Sequence, residues 1–174
     1  MQVLASQFID RWVIDRSRAL ATAQISRLFL DPKNLKVAYF EVNSIPHDDH
    51  VFVRSDQIVM EGEVLTIASV NAMGEKEDFV RDQDILASPC LLTGYKVFDR
   101  SKRRLGRIAD YTISTTTLRA ERLHIGVPFW QRLLMPERVM SARSVHEVLP
   151  DKKQVIVNQS VAPSKNRVTE PVAA

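Results

Sequence analysis

Val13-Ile-Asp-Arg-Ser17 and Val97-Phe-Asp-Arg-Ser101 spell nearly the same five residues at an offset of 84. A near-identity at that distance marks an internal repeat, and the text on either side extends it. With one inserted residue, Leu20 matches Leu105 and Val42 matches Val127. In the first copy an apolar-rich segment (25–30) precedes the polar turn Asp31-Pro-Lys-Asn34 and an alternating segment (35–42). In the second copy the same parts fall at 105–113, 114–117 and 118–127. Leu35, Val37, Tyr39 and Glu41 share one face, and Ala38, Phe40 and Val42 the other; Leu123, Ile125 and Val127 alternate with Arg122, His124 and Gly126. A period of two is that of a strand. Pro32 fixes φ in the first turn, and the Asp31 side chain can accept from the backbone ahead of it.

Further short strands are expected at 51–54, 64–67, 145–149 and 154–158, with single helical turns near Asp56 and Ser141. Many short strands at close spacing make the fold all-β, a barrel or a sandwich. Residues 1–74 form the first copy, 75–89 a polar linker carrying Glu75-Lys-Glu-Asp78, and 90–159 the second copy; 160–174 is expected to be a disordered tail. Each copy is of a size at which a single core is marginal, so the two gain by packing together.

The exclusions come from scarcity. The chain has 174 residues, 45% hydrophobic and 26% charged, with five glycines no closer than twelve residues apart. A phosphate-cradling loop needs glycines two to five apart, so no Walker or Rossmann loop and no Gly-x-Ser-x-Gly elbow exists. Cys90 is the one cysteine, which leaves no intrachain disulfide or multi-thiolate zinc site and reads as a small core residue. Met1-Gln-Val-Leu-Ala5 lacks a basic leader, and no apolar run is long enough to span a bilayer; the chain reads as cytoplasmic.

Gly94-Tyr-Lys-Val97, then Asp99, Leu105-Gly-Arg-Ile-Ala-Asp110 and Glu121-Arg-Leu-His-Ile125 resemble the PRC-barrel motif. Val139-Met-Ser-Ala-Arg-Ser-Val145 followed by Gln154-Val-Ile-Val157 resembles that family's closing segment. Arg27-Leu-Phe-Leu-Asp-Pro32 and Val51-Phe-Val-Arg-Ser-Asp-Gln-Ile58 resemble the same domain in the first copy, which departs by having Ala21 where the second has Gly106 and Ile25 near the place of Asp110. The resemblance covers about residues 4–158 and implies two small antiparallel PRC-type β-barrels in tandem. The family also occurs in the cytoplasmic part of the photosynthetic reaction centre H subunit and in ribosome maturation factors that bind a ribosomal protein. It implies a docking module without catalytic residues and without a cofactor. The chain lacks the transmembrane helix of the one and the extra N-terminal domain of the other, so neither specific role carries over.

Charge is split between the copies. Residues 1–87 hold nine Lys and Arg against fourteen Asp and Glu, a net −5; residues 88–174 hold fifteen against seven, a net +8, together the +3 of the chain. The densest basic run is Arg100-Ser-Lys102-Arg103-Arg104, with Arg107 just after. On a hairpin turn such side chains splay outward, either as a solubilising edge or as a site for an acidic protein, nucleic acid or anionic lipid. No aromatic residue is interleaved to stack a base. Phe129-Trp130-Gln-Arg132-Leu-Leu-Met135, framed by Pro128 and Pro136, is the second candidate. It either caps a barrel mouth or the seam, or forms a patch rimmed by Arg132 and Arg138.

His47-Asp-Asp-His50 reads as a solvated loop, because adjacent residues rarely converge on one ion. His146-Glu147 fails as a zinc-peptidase start, since Pro150 stands where the second histidine is needed. His124, Asp99 and Asp110 read as structural strand and turn residues. The expectation is therefore a non-enzymatic protein-docking or assembly module, compatible with a homodimer and with no metal or cofactor. The alternative is an RNA- or ribosome-associated factor using the basic second copy.

Overall fold

The computed structural model describes residues 1–45, 49–62, 64–80, 83–126 and 138–158. The fold is mostly β, in two seven-stranded sheets. The first contains β2 (Trp12–Asp15), β3 (Leu20–Leu30), β4 (Val37–Ser44), β5 (His50–Arg54), β6 (Ile58–Glu61), β7 (Val64–Ile67) and β8 (Met73–Gly74), in the order β6-β7-β2-β3-β4-β5-β8. The second contains β9 (Lys96–Asp99), β10 (Arg104–Ser114), β11 (Ala120–Gly126), β12 (Arg138–Ser141), β13 (Val145–Leu149) and β14 (Gln154–Val157), in the order β12-β11-β10-β9-β14-β13, with β1 (Gln2–Leu4) against the far end of β10. Apart from β1 and β8, the two orders are the same. In each sheet a 3-10 turn, Ser55–Gln57 or Ala142–Ser144, leads from the fourth strand of the meander into a closing hairpin.

The expected antiparallel arrangement needs a correction. The closing hairpin returns beside the strand that began the meander, so β7 runs parallel to β2, and β14 parallel to β9. Both sheets are mixed. Neither hydrogen-bond ladder closes into a ring among the described residues.

Register also corrects the alignment of the two stretches. Ile25 lies opposite Val42 and Ile108 opposite Ile125; Ile25 N–H donates to Arg11 O at 3.0 Å, as Ile108 N–H donates to Tyr95 O at 2.9 Å. Those pairs are 83 apart, so the first β2–β3 turn holds one residue more than its counterpart. Ala19 and Lys102 take the same left-handed place in the two turns, at φ +54° and +63°. Ala23, opposite Val13, is the residue that stands where Gly106 stands opposite Val97. Leu20, which suggested the other alignment, is 61% exposed and so outside the core.

Ile108, Leu123 and Ile125 are buried as the alternation requires, while Leu105 is half-buried. One apolar cluster runs through both halves, from Phe8, Ile25 and Phe40 to Tyr111, Ile113 and Val155. A smaller one (Phe29, Tyr39, Phe52) lies on the outer face of the first sheet, where α1 (Gln83–Ala87) covers it with Leu86. Tyr39 there meets Phe79 edge-on at 5.1 Å. The halves are also stitched by backbone, since Leu30 N–H donates to Cys90 O at 2.9 Å and Lys36 bridges Arg119.

Candidate functional site

The basic run occupies the β9–β10 turn, and that turn is built around one buried carboxylate. Asp99 is 4% exposed; its Oδ1 accepts from Arg103 N–H at 2.9 Å and its Oδ2 from Arg103 Nε at 3.1 Å. Lys102 N–H donates to Asp99 O at 3.0 Å, closing the turn behind it. A buried carboxylate demands such partners, and the loop supplies them from four residues ahead. Arg103 therefore holds the hairpin together. Arg100, Lys102, Arg104 and Arg107 are exposed around it. Arg100 Nη2 lies 3.3 Å from His146 Nδ1, and Arg107 Nη1 donates to Gly94 O at 3.4 Å.

The corresponding turn of the first sheet has the same carboxylate and a different surface. Asp15, fully buried, accepts from Ser17 N–H at 2.7 Å, Ser17 Oγ at 2.6 Å and Val70 N–H at 3.2 Å. The Ser17 hydroxyl does most to hold the Asp15 carboxyl below its ordinary range; burial pushes the other way, and backbone N–H groups add to the lowering. Arg16 lies 3.5 Å from Glu61 and Arg18 4.0 Å from Asp15. Both arginines of that turn face a carboxylate, so the positive surface belongs to the second turn alone.

Asp110 is a clasp: it accepts from Ser6 N–H at 3.3 Å, Ser6 Oγ at 2.5 Å and Tyr111 N–H at 2.7 Å, fastening the 3-10 turn Ala5–Phe8 to β10. His124 is half-buried in β11, opposite Asp110. Cys90 is buried, and desolvation pushes its thiol up to about 11. Tyr95 donates its hydroxyl to Pro89 O at 3.3 Å; burial first, then the neighbouring Cys90, push its own pKa up to about 12. Among the described residues no three His, Cys, Asp or Glu side chains gather in a way that could hold a metal ion. Phe129, Trp130 and Arg132, with the rest of the Phe129–Met135 segment, lie outside the described residues, as do His47, Asp48 and the stretch 159–174.

One feature escaped the sequence. A groove of about 780 Å³ between β12 and the turns that precede β4 and β11 is lined by Arg119, Arg122 and Arg143 together with Gln2, Asn34 and Val139. The three arginines come from a turn, a strand and a 3-10 turn, so no run of cations announces them. The alternation in β11 does carry part of the signal, since Leu123 and Ile125 point inward and leave Arg122 outside. No family model matches the chain, and no curated protein matches it. Among the described residues no helix is long and apolar enough to cross a membrane.

Proposed function

We propose that the chain is a tandem of two PRC-type barrel modules that serves, without catalysis of its own, as a docking or assembly protein in the cytoplasm. The observation that carries the reading is the β9–β10 turn: four exposed cations on a hairpin fixed by Asp99 and Arg103, in the half of the chain with a net charge of +8. Side chains splayed from a rigid turn meet an acidic protein surface without an ordering cost to the backbone. The shared strand order of the two sheets supports the tandem reading, with the closing hairpin parallel to the first strand in both. An RNA-associated role draws on the same cations and is the second reading.

The test is capture from native lysate on the full chain, with and without ribonuclease, beside a variant carrying Arg100→Glu, Lys102→Glu and Arg104→Glu. Arg103 is left intact, because its substitution would open the turn. A protein partner retained after ribonuclease and lost with the variant supports docking through this turn. Loss on ribonuclease treatment moves the reading to RNA, with the steep salt dependence of phosphate contacts. A partner retained by the variant would leave the turn a solubilising edge. Sedimentation at low and high salt reads self-association in the same preparations.

A further inference from the structure

The two sheets form the same groove twice, and the described residues narrow only the first, to about 190 Å³ against about 780 Å³. There the outer edge of β5 takes β8 as a further strand, Phe52 opposite Gly74 and Val53 opposite Met73. The segment that follows carries Glu75, Glu77, Asp78 and Asp84, and then α1 lays Ile85 and Leu86 against the aromatic cluster around Tyr39. In the second sheet, register puts Arg122 in the place of Tyr39, Val139 in that of Phe52 and Met140 in that of Val53; Arg143 holds the middle of the 3-10 turn, as Asp56 does in the first. Beside them β12 is the outermost strand among the described residues, and Val139 is 51% exposed.

We propose that this second groove takes an extended acidic segment of a partner protein, added to β12 as a further strand, with its carboxylates on Arg119, Arg122 and Arg143. Two independent features meet here. An edge strand offers a row of backbone donors and acceptors that binds an extended peptide whatever its sequence, and the flanking side chains select among peptides. Three guanidinium groups line the same groove, and among the described residues none has a carboxylate within 4.0 Å. Arginine forks bind carboxylates in pairs of parallel hydrogen bonds. One carboxylate, Glu121, also lines this groove and already accepts from Gln2 Nε2, whereas the equivalent groove sets two, Asp31 and Asp56, against Lys36 and Arg54, and Arg54 Nη2 already donates to Asp56 at 2.9 Å. Single-stranded nucleic acid fits less well, because among the described residues no aromatic ring lines the arginine groove to stack a base. The inference rests on the docking reading and gives the partner's chemistry.

The test is an NMR titration of the full chain with a short peptide alternating Glu and Val, its Gln-for-Glu counterpart, and a short RNA of mixed sequence. The expected result is a shift of the Val139–Ser141 amides and the three arginine Nε groups by the Glu peptide. Affinity should fall roughly tenfold or more for the Gln peptide and for Arg122→Glu with Arg143→Glu. It should be unmoved by substitution of Arg100, Lys102 and Arg104. The map on the parent protein stands without the variants, whose folding is read by their thermal melts. Shifts confined to the β9–β10 turn, equal binding of the Gln peptide, tighter binding of the RNA, or no shift at millimolar peptide would each overturn the proposal. So would binding that appears only after removal of residues 159–174, or groove shifts that follow protein concentration without peptide; these would make the occupant the chain's own tail or a second copy. If the peptide fails while the lysate still yields a protein partner, the groove falls and docking stands; failure of both removes both.

Discussion

Leu35 and Leu118 answer each other across the seam. Each takes a left-handed backbone conformation, φ +56° and +54°, two residues before the next strand begins. The Leu118 carbonyl accepts from Val37 N–H at 2.8 Å and the Leu35 carbonyl from Ala120 N–H at 2.9 Å, while both side chains are buried. A left-handed conformation costs a residue with a Cβ roughly 1 kcal/mol. The reciprocal pair and the burial of two leucines offset that strain.

Substitution at Leu118 separates burial from backbone. Leu118→Ala is expected to destabilise by about 2–3 kcal/mol through the lost side chain. At an ordinary strand position glycine would cost about 0.5–1 kcal/mol more than alanine. Here Leu118→Gly should be as stable as Leu118→Ala, or more so. Chemical denaturation of both variants decides; a glycine variant clearly weaker than the alanine one would show that the conformation carries no strain.

Two glycines of the second half should respond differently to the same change. A Cβ at Gly106 (φ +152°) would come within 2.6 Å of Ile125 Cγ2 and 2.7 Å of Gly126 O, whereas one at Gly94 (φ +83°) would meet nothing within 4 Å. Gly94→Ala should cost about 1 kcal/mol from the backbone alone. Gly106→Ala adds overpacking of roughly 1–3 kcal/mol. Equal melting temperatures for the two would contradict the close approach of β10 to β11 at this point.

Acid should loosen the first turn through Asp15. Its folded-state pKa is held below the ordinary 3.8, so the charged carboxylate contributes stability that is fully present above that value. The contribution fades as pH falls below 3.8 and through the lower folded value. Asp15→Asn removes the titration, and its stability should be flatter than the parent's across that acid window. Urea midpoints collected from neutral pH downward test this; parallel curves for parent and variant would mean that Asp15 does not titrate with unfolding.

The thiol of Cys90 should be silent in the native protein. It is fully buried, and desolvation raises its pKa from 9.0 to about 11, so little thiolate exists at pH 8. Ellman's reagent should label it only after denaturant is added. Labelling of the native chain at the pace of a free thiol would show that the seam opens readily.

Local chemistry was what the sequence made legible. Alternation placed β3, β4, β10 and β11, and helical turns expected near Asp56 and Ser141 correspond to Ser55–Gln57 and Ala142–Ser144. The partner of each strand was not legible, because alternation gives a face and no neighbour; hence the parallel β2–β7 and β9–β14 pairs went unseen. Leu20 misled the alignment because an exposed leucine looks like a core one in a string of letters. The basic turn was visible as a run, but Arg103's different role depends on Asp99 reaching back to it. Of the arginine groove only the outward place of Arg122 was legible, since Arg119, Arg122 and Arg143 meet only after two turns and a strand are folded.

The place of β1 has a consequence for the order of events during synthesis. Gln2–Leu4 pair with Thr112–Ser114, so β1 is made before every strand of the first sheet, and its partner after all of them. The first sheet must form while the segment before it waits with an open edge, a long-range closure of the kind that slows folding. On a ribosome stalled before residue 112, Gln2–Leu4 should therefore be cleaved readily by protease, and after Ser114 has emerged with room to fold they should be protected. The chain thus begins one sheet, completes the other, and returns to finish the first that it touched.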